Sequence, residues 1–267
     1  MDIRLYQIDA FTHRVFGGNP AAVCLLREWL DDDTLQAIAT ENNLSETVYF
    51  VPHGNDFELR WFTPVAEIEL AGHPTLAAAY VILDTLEPGR ERVRFETRKS
   101  GPLTVIRRGE TLAMDFPARP PVPRPDLGDV VAALRARPIE VLAARDGFAV
   151  FETEAEVAAL APDFARVAEL DCLGVIATAP AAPGSGWDFV SRFFAARHNI
   201  NEDPVTGSAH CTLVPYWAKK LGKKKLAARQ ISKRVGELWC EDRGDRVEIA
   251  GQCAHFMEGV IRLEGLP

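Results

Sequence analysis

The sequence predicts an α+β protein of two pseudo-symmetric lobes, each a mostly antiparallel, curved sheet wrapped around one central helix. Three observations predict it. The chain repeats itself at about half its length, a proline-rich segment separates the copies, and both copies run through the same order of elements. At 267 residues the chain is long enough for two such lobes, each with a real core.

The repeat is read residue by residue. RKSGPLTVIRRGETLAM (98–114) lies over KRVGELWCEDRGDRVEI (233–249) without a gap, so that Gly101 falls on Gly236 and Gly109 on Gly244. AGHPTLAAAY (71–80) lies over TGSAHCTLVP (206–215), with Gly72 on Gly207 at the same offset of 135. LRWFTP (59–64) matches SRFFAA (191–196) at an offset of 132, so the second copy carries three extra residues before its glycine. Residues 33–52 resemble 163–180. PARPPVPRP (117–125) holds five prolines in nine residues, too many for a regular element, and reads as a stiff connector. The lobes are therefore expected at 1–118 and 119–267.

Within a copy, the alternating segments RLYQIDAF and TVYFV read as strands. DDTLQAIATENN reads as a short helix with an acidic first turn. LRWFTP reads as a strand ending at Pro64. AGHPTLAAAYVILDTL is apolar nearly all round, which marks a buried helix. Two strands joined at Arg108-Gly109, and again at Arg243-Gly244, close each copy.

Composition excludes several functions. Hydrophobic residues make up 47% and charged residues 25%, ordinary for a globular chain. The net charge of −8 argues against sequence-independent nucleic-acid binding. The one basic run, Lys219, Lys220, Lys223, Lys224 and Lys225, reads as the cationic end of a helix. No apolar run is long enough for a membrane span, and the first residues show no secretory signal. Five widely spaced cysteines without CxxC suit a reduced, cytoplasmic setting. No metal-site, P-loop or dinucleotide motif is present, so neither metal nor cofactor is expected.

Chemistry is expected where the two apolar helices begin. A helix N-terminus offers unpaired N–H groups and partial positive charge, and glycine lets a ligand approach closely. From spacing alone, Gly72 and Gly207 either build an anion site or only relieve crowding between helix and sheet. Near them stand Glu46 and His73 on one side, Asp203 and Ser208 on the other. Singly these read as a solvated strand-start glutamate, a capping histidine and an Asp203 N-cap. As a set around paired helix starts they read as a site, with Glu46 half-buried and its pKa raised toward the range useful for proton transfer.

IDAFTHRVFGGNPAAV (8–23), ATENNLSETVYFV (39–51), RWFTPVAEIELAGHPTLAAAYVIL (60–83) and FFAARHNINEDPVTGSAH (193–210) resemble the PhzF-like family, the phenazine-biosynthesis F-type isomerases, which share the diaminopimelate epimerase fold. The resemblance implies two lobes with the site between them, catalysis without cofactor or metal, and a homodimer. It implies that Glu46 is the general acid/base, that His73 assists proton relay or substrate placement, that Asp203 holds polar groups of the substrate, and that Ser208 supplies a hydroxyl. Gly18, Asn19, Gly72, Thr206 and Gly207 would line or support the substrate site. Related epimerases place a thiol just before each helix glycine; here those positions are Ala71 and Thr206, so a two-cysteine mechanism does not apply. Pro204 and His210 depart from phenazine-producing members, so their substrate is not carried over.

The expected function is therefore a cofactor-independent isomerase that moves a proton within a small carboxylate-bearing substrate. The alternatives are a two-base racemase or epimerase and a non-catalytic binding protein on the same fold. A Ser208–His210 hydrolase is disfavoured, because residues two apart on a helix point apart.

Overall fold

The computed structural model describes residues 1–124, 128–198 and 200–264. These fall into two units, Met1–Asp115 with the segment from Ala250 on, and Phe116–Ile249. The second unit begins at Phe116 and ends at Ile249, and residues from 250 on belong to the first. The cause is strand pairing, which pattern reading along one copy could not see.

The first unit is built from β1 (Asp2–Ala10), β2 (Asn19–Leu25), α1 (Asp32–Asn42), β3 (Glu46–His53), β4 (Asp56–Phe62), β5 (Glu67–Ile68), α2 (Gly72–Tyr80), β6 (Arg92–Thr97), β7 (Leu103–Arg108) and β8 (Thr111–Pro117). β1–β2 is antiparallel, β2–β3 parallel, β3–β4 antiparallel, β4–β6 parallel, and β6–β7–β8 antiparallel. α2 continues as a π-helical segment, Val81–Leu86. Seven of its nine residues are buried, as a helix without a polar face must be. Its three alanines bring the backbone close to β1, β2 and β3.

The second unit contains β9 (Val122–Pro123), α3 (Gly128–Leu134), β10 (Glu140–Ala143), β11 (Gly147–Val150), α4 (Glu154–Ala159), α5 (Phe164–Glu169), β12 (Val175–Pro180), β13 (Phe189–Ala195), β14 (Ile200–Asp203), α6 (Gly207–Leu221), β15 (Lys225–Gln230), β16 (Gly236–Asp242) and β17 (Arg246–Gly251). The pairing repeats the first unit step for step: β10–β11 antiparallel, β11–β12 parallel, β12–β13 antiparallel, β13–β15 parallel, β15–β16 antiparallel. The last strand, β18 (Cys253–Arg262), returns to pair antiparallel with β1.

The repeat extends to side chains. Arg60 on β4 makes a bidentate pair with Glu67 on β5 at 2.7 and 2.8 Å. Its counterpart Arg192 on β13 does the same with Glu202 on β14 at 2.7 and 2.9 Å. Each pair fastens a short strand that leads into a central helix. The closing turns also agree, with Gly109 at φ +62° and Gly244 at φ +87°.

The connector is less irregular than expected. Val122 and Pro123 form a two-residue strand against Ala143 and Leu142, using an edge position that proline tolerates. Its last residue, Pro125, lies outside the described residues. Pro215 inside α6 has no N–H for the Cys211 carbonyl one turn back, and the connector's Arg119 N–H donates to that carbonyl at 2.8 Å. The basic run, expected as a helix end, is divided: Lys223 lies past the helix and pairs with Asp188, and Lys225 opens β15. Lys219 and Lys220 occupy the last turn of α6, which ends on left-handed Gly222. No helix among the described residues is long and apolar enough to cross a membrane.

Candidate active site

Two groups of predicted residues assemble, one in each unit. In the first, Glu46 opens β3 and lies opposite Ala21 of β2. His73 is the second residue of α2 and is buried. Its Nε2 lies 3.1 Å from Glu46 Oε2, with both side chains largely withdrawn from water. The ring's other nitrogen bonds the Pro20 carbonyl. Burial pushes the imidazole pKa down to about 3, so the ring is neutral across the physiological range.

The GGNP segment braces this pair. Asn19 is wholly buried, and its Oδ1 accepts from Ser45 Oγ at 3.3 Å, one residue before Glu46. Gly18 sits at φ +57°, where a Cβ would come 2.1 Å from the Ala10 carbonyl oxygen. Asp9 holds the same loop by accepting the Phe16 N–H at 2.8 Å. Gly18 and Asn19 were expected to line or support the substrate site; both are buried and occupy the supporting position.

In the second unit, Asp203 ends β14 and Thr206, not Asp203, is the N-cap of α6. Thr206 does not act as a cap. Its hydroxyl donates to Asp203 Oδ2 at 2.5 Å and accepts from Gln230 Nε2 at 3.2 Å. Gln230 Oε1 takes the Thr206 N–H at 2.9 Å. Gly207 and Ser208 then start the helix, and Ser208 Oγ accepts from Arg145 Nη2 at 2.9 Å.

The short helices throw this into relief. α1 is capped by Asp31, α4 by a Thr153–Glu156 capping box and α5 by Asp163. α2 begins on Ala71, which has no group to cap with, and α6 on a threonine whose hydroxyl is engaged elsewhere. Neither has a side-chain cap. First-turn amides left without a side-chain acceptor are what an anion needs.

Residues 8–259 match the family described as phenazine biosynthesis-like protein (PhzC-PhzF). The chain belongs to that family. An uncharacterized isomerase of Pseudomonas aeruginosa is 50% identical over 263 residues, covering 98% of this chain and 100% of that protein. A crystal structure of a PhzF-family phenazine biosynthesis protein from Enterococcus faecalis superimposes with a TM-score of 0.94 at 44% identity, covering 98% of this chain and 100% of that one. A hydroxyproline epimerase of Agrobacterium vitis, solved with trans-4-hydroxy-L-proline, has a TM-score of 0.60 at 9% identity over 97% of this chain and 92% of that one, a likeness of fold alone. With close relatives named as isomerases, this phenazine biosynthesis-like protein is an enzyme of that class.

Sequence reasoning missed Arg145 and Gln230. Ser45 was within reach, since it lies inside the NLSE motif. Arg145 and Gln230 sit in segments with no motif and reach the α6 start only through folding. His210 is buried with Nδ1 against the Thr206 carbonyl at 2.8 Å, and burial lowers its pKa to about 4. Ser208 is bonded to Arg145 instead, so the two do not form a nucleophile–base pair. Cys211 is a buried thiol with its pKa pushed up to about 11, inert at neutral pH. All five cysteines are free.

Proposed function

We propose that this protein is a cofactor-independent isomerase that moves a proton between carbons of a small carboxylate-bearing substrate, with Glu46 as the single acid/base. The contact between Glu46 Oε2 and His73 Nε2 carries the reading. A neutral imidazole that gives its N–H to the Pro20 carbonyl presents a bare lone pair at Nε2. Glu46 Oε2 lies 3.1 Å from that nitrogen, close enough for a proton to pass between the two groups.

The pair can therefore hold a proton in transit. Glu46 takes it from a carbon α or vinylogous to a group that delocalises the charge. The resulting acid has an acceptor waiting at His73. The imidazole does not keep the proton, because burial holds its basicity low. Glu46 then returns the proton to a second carbon. Such one-group acid–base catalysis is worth about 10²–10⁴-fold. The uncapped starts of α2 and α6 supply donors for the substrate carboxylate and for charge that develops in the transition state. Asp203 and Ser208 orient the remaining polar groups. Both groups are proposed to serve one substrate, in a homodimer of the cytoplasm, as the family resemblance implies.

The test is ¹H NMR in D₂O with a panel of small α-substituted and β,γ-unsaturated carboxylic acids. The expected result is a positional shift with part of the hydrogen retained, lost in Glu46→Gln. Inversion at one carbon with complete solvent exchange would point to two bases instead. Turnover by Glu46→Gln at the wild-type rate would overturn the assignment.

A further inference from the structure

The repeat places His73 and Ser208 at equivalent positions, each second in its central helix. In the first unit the connection between the first two paired strands runs into β2, and His73 is tethered at that strand's second residue, where its ring bonds the Pro20 carbonyl. The equivalent connection in the second unit is the tight turn Ala144–Asp146 between β10 and β11, closed by Ala144 N–H to the Asp146 carbonyl at 3.0 Å. From that turn Arg145 reaches Ser208 Oγ at 2.9 Å. The start of the second strand in the first unit and the turn before the second strand in the second unit thus hold the same helix position, one with a carbonyl and the other with a guanidinium.

The chemistry of the two tethers is opposite. The carbonyl of Pro20 takes the imidazole proton and leaves an acceptor exposed at Nε2. The guanidinium has only donors and keeps its charge at any physiological pH. Ser208 Oγ must therefore accept from Arg145, and its own hydroxyl hydrogen is left to be given away. With one lone pair engaged, Ser208 turns its hydroxyl hydrogen outward and adds a donor to the first-turn amides of α6. Arg145 is itself partly exposed, with 37% of its side chain open, and carries its charge beside the helix start. It also lines a cavity of about 450 Å³ within the second unit, together with Arg124, Asp129 and Asp146, the last of which its Nη2 approaches to 3.6 Å.

We propose that Arg145 is a positioning residue that sets substrate specificity: by donating to Ser208 it fixes the serine hydroxyl as a donor and makes the α6 start selective for a carboxylate over its neutral amide. The inference rests on the proposed role of α6 in holding the substrate carboxylate. It is independent of Glu46, which acts on carbon-bound hydrogen.

The experiment is isothermal titration of the protein with malonate and, in parallel, malonamide, in wild type, Arg145→Leu, Arg145→Lys, Ser208→Ala and the double variant Arg145→Leu/Ser208→Ala. Amide NMR spectra of each variant report that the fold is retained. Wild type is expected to bind malonate and not malonamide. Arg145→Leu weakens malonate binding roughly tenfold, the scale of one charge-assisted hydrogen bond. Ser208→Ala weakens it by a similar factor, and the double variant loses little more, because the two act as one unit. Arg145→Lys restores part of the loss. Wild-type affinity in Arg145→Leu, or losses that simply multiply in the double variant, would overturn the role of Arg145 while leaving the anion site standing. Absence of saturable malonate binding to wild type would overturn the anion site and this inference with it.

Discussion

The two units share one sequence of strand pairings and differ where their central helices begin. In the first unit the start of α2 is surrounded by groups that can gain or lose a proton, Glu46 and His73. In the second, Asp203, Thr206 and Gln230 are locked in a network of fixed hydrogen bonds, and Arg145 holds Ser208. A duplicated scaffold has supplied two uncapped helix starts, and at the first a carboxyl group meets a buried imidazole. The comparison teaches why a single proton carrier is the expected chemistry: the symmetry of the frame is not matched by symmetry of the titratable groups.

The largest effect should come from removing the carrier. Glu46→Gln is expected to lower turnover by about 10²–10⁴-fold at unchanged stability, read by NMR kinetics and urea unfolding. Asp203→Asn in the other unit should act mainly on substrate affinity; an equal loss of turnover from both would break the asymmetry.

Next is the pH dependence of stability, to which each unit contributes one buried neutral histidine. His73 and His210 have folded pKa values of about 3 and 4, below the ordinary 6.5. Between those values the unfolded chain binds the extra protons, so stability rises with pH up to about 6.5 and falls as pH drops below it. At pH 5 each histidine should cost roughly 2 kcal/mol relative to pH 8. Urea unfolding of His210→Gln should show about half of this histidine-dependent slope.

A smaller change would give α2 the cap that α1, α4 and α5 possess. Ala71→Ser should stabilise the fold by about 1 kcal/mol while weakening binding of small carboxylates, as a serine oxygen competes for the first-turn amides. Higher stability with unchanged malonate binding would separate the α2 start from the anion site.

The smallest effect is expected at Pro215, which stands where α2 has Tyr80. A proline inside a helix ordinarily costs about 3 kcal/mol. Here Arg119 satisfies the carbonyl that Pro215 leaves free, so Pro215→Ala should change stability by less than about 1 kcal/mol.

Much of this was legible before folding. The pairing order follows the repeat because equivalent hydrophobic patterns fold into equivalent strands, and Ala71 announces an uncapped helix by having no side-chain oxygen. Other features read alike in sequence and differ in space. Gly101 and Gly236 align, yet Gly101 has a left-handed φ of +68° with open space around it, while a Cβ on Gly236 would come 2.1 Å from Val205. Asp203 was expected as the N-cap of α6; Thr206 stands there instead, and its hydroxyl is engaged by Asp203 and Gln230 rather than by the helix.

The sequence by itself determined the duplicated frame, the two buried helices and the residue types available at their starts, since periodicity and turn chemistry are local properties. Tertiary structure alone decided which of those residues meet: β18 returning to the first unit, Gln230 disarming a cap, the Pro20 carbonyl fixing the protonation of His73, and Arg145 reaching Ser208. Those contacts join residues far apart in the chain, and no local pattern encodes a hydrogen bond between segments that only packing brings together.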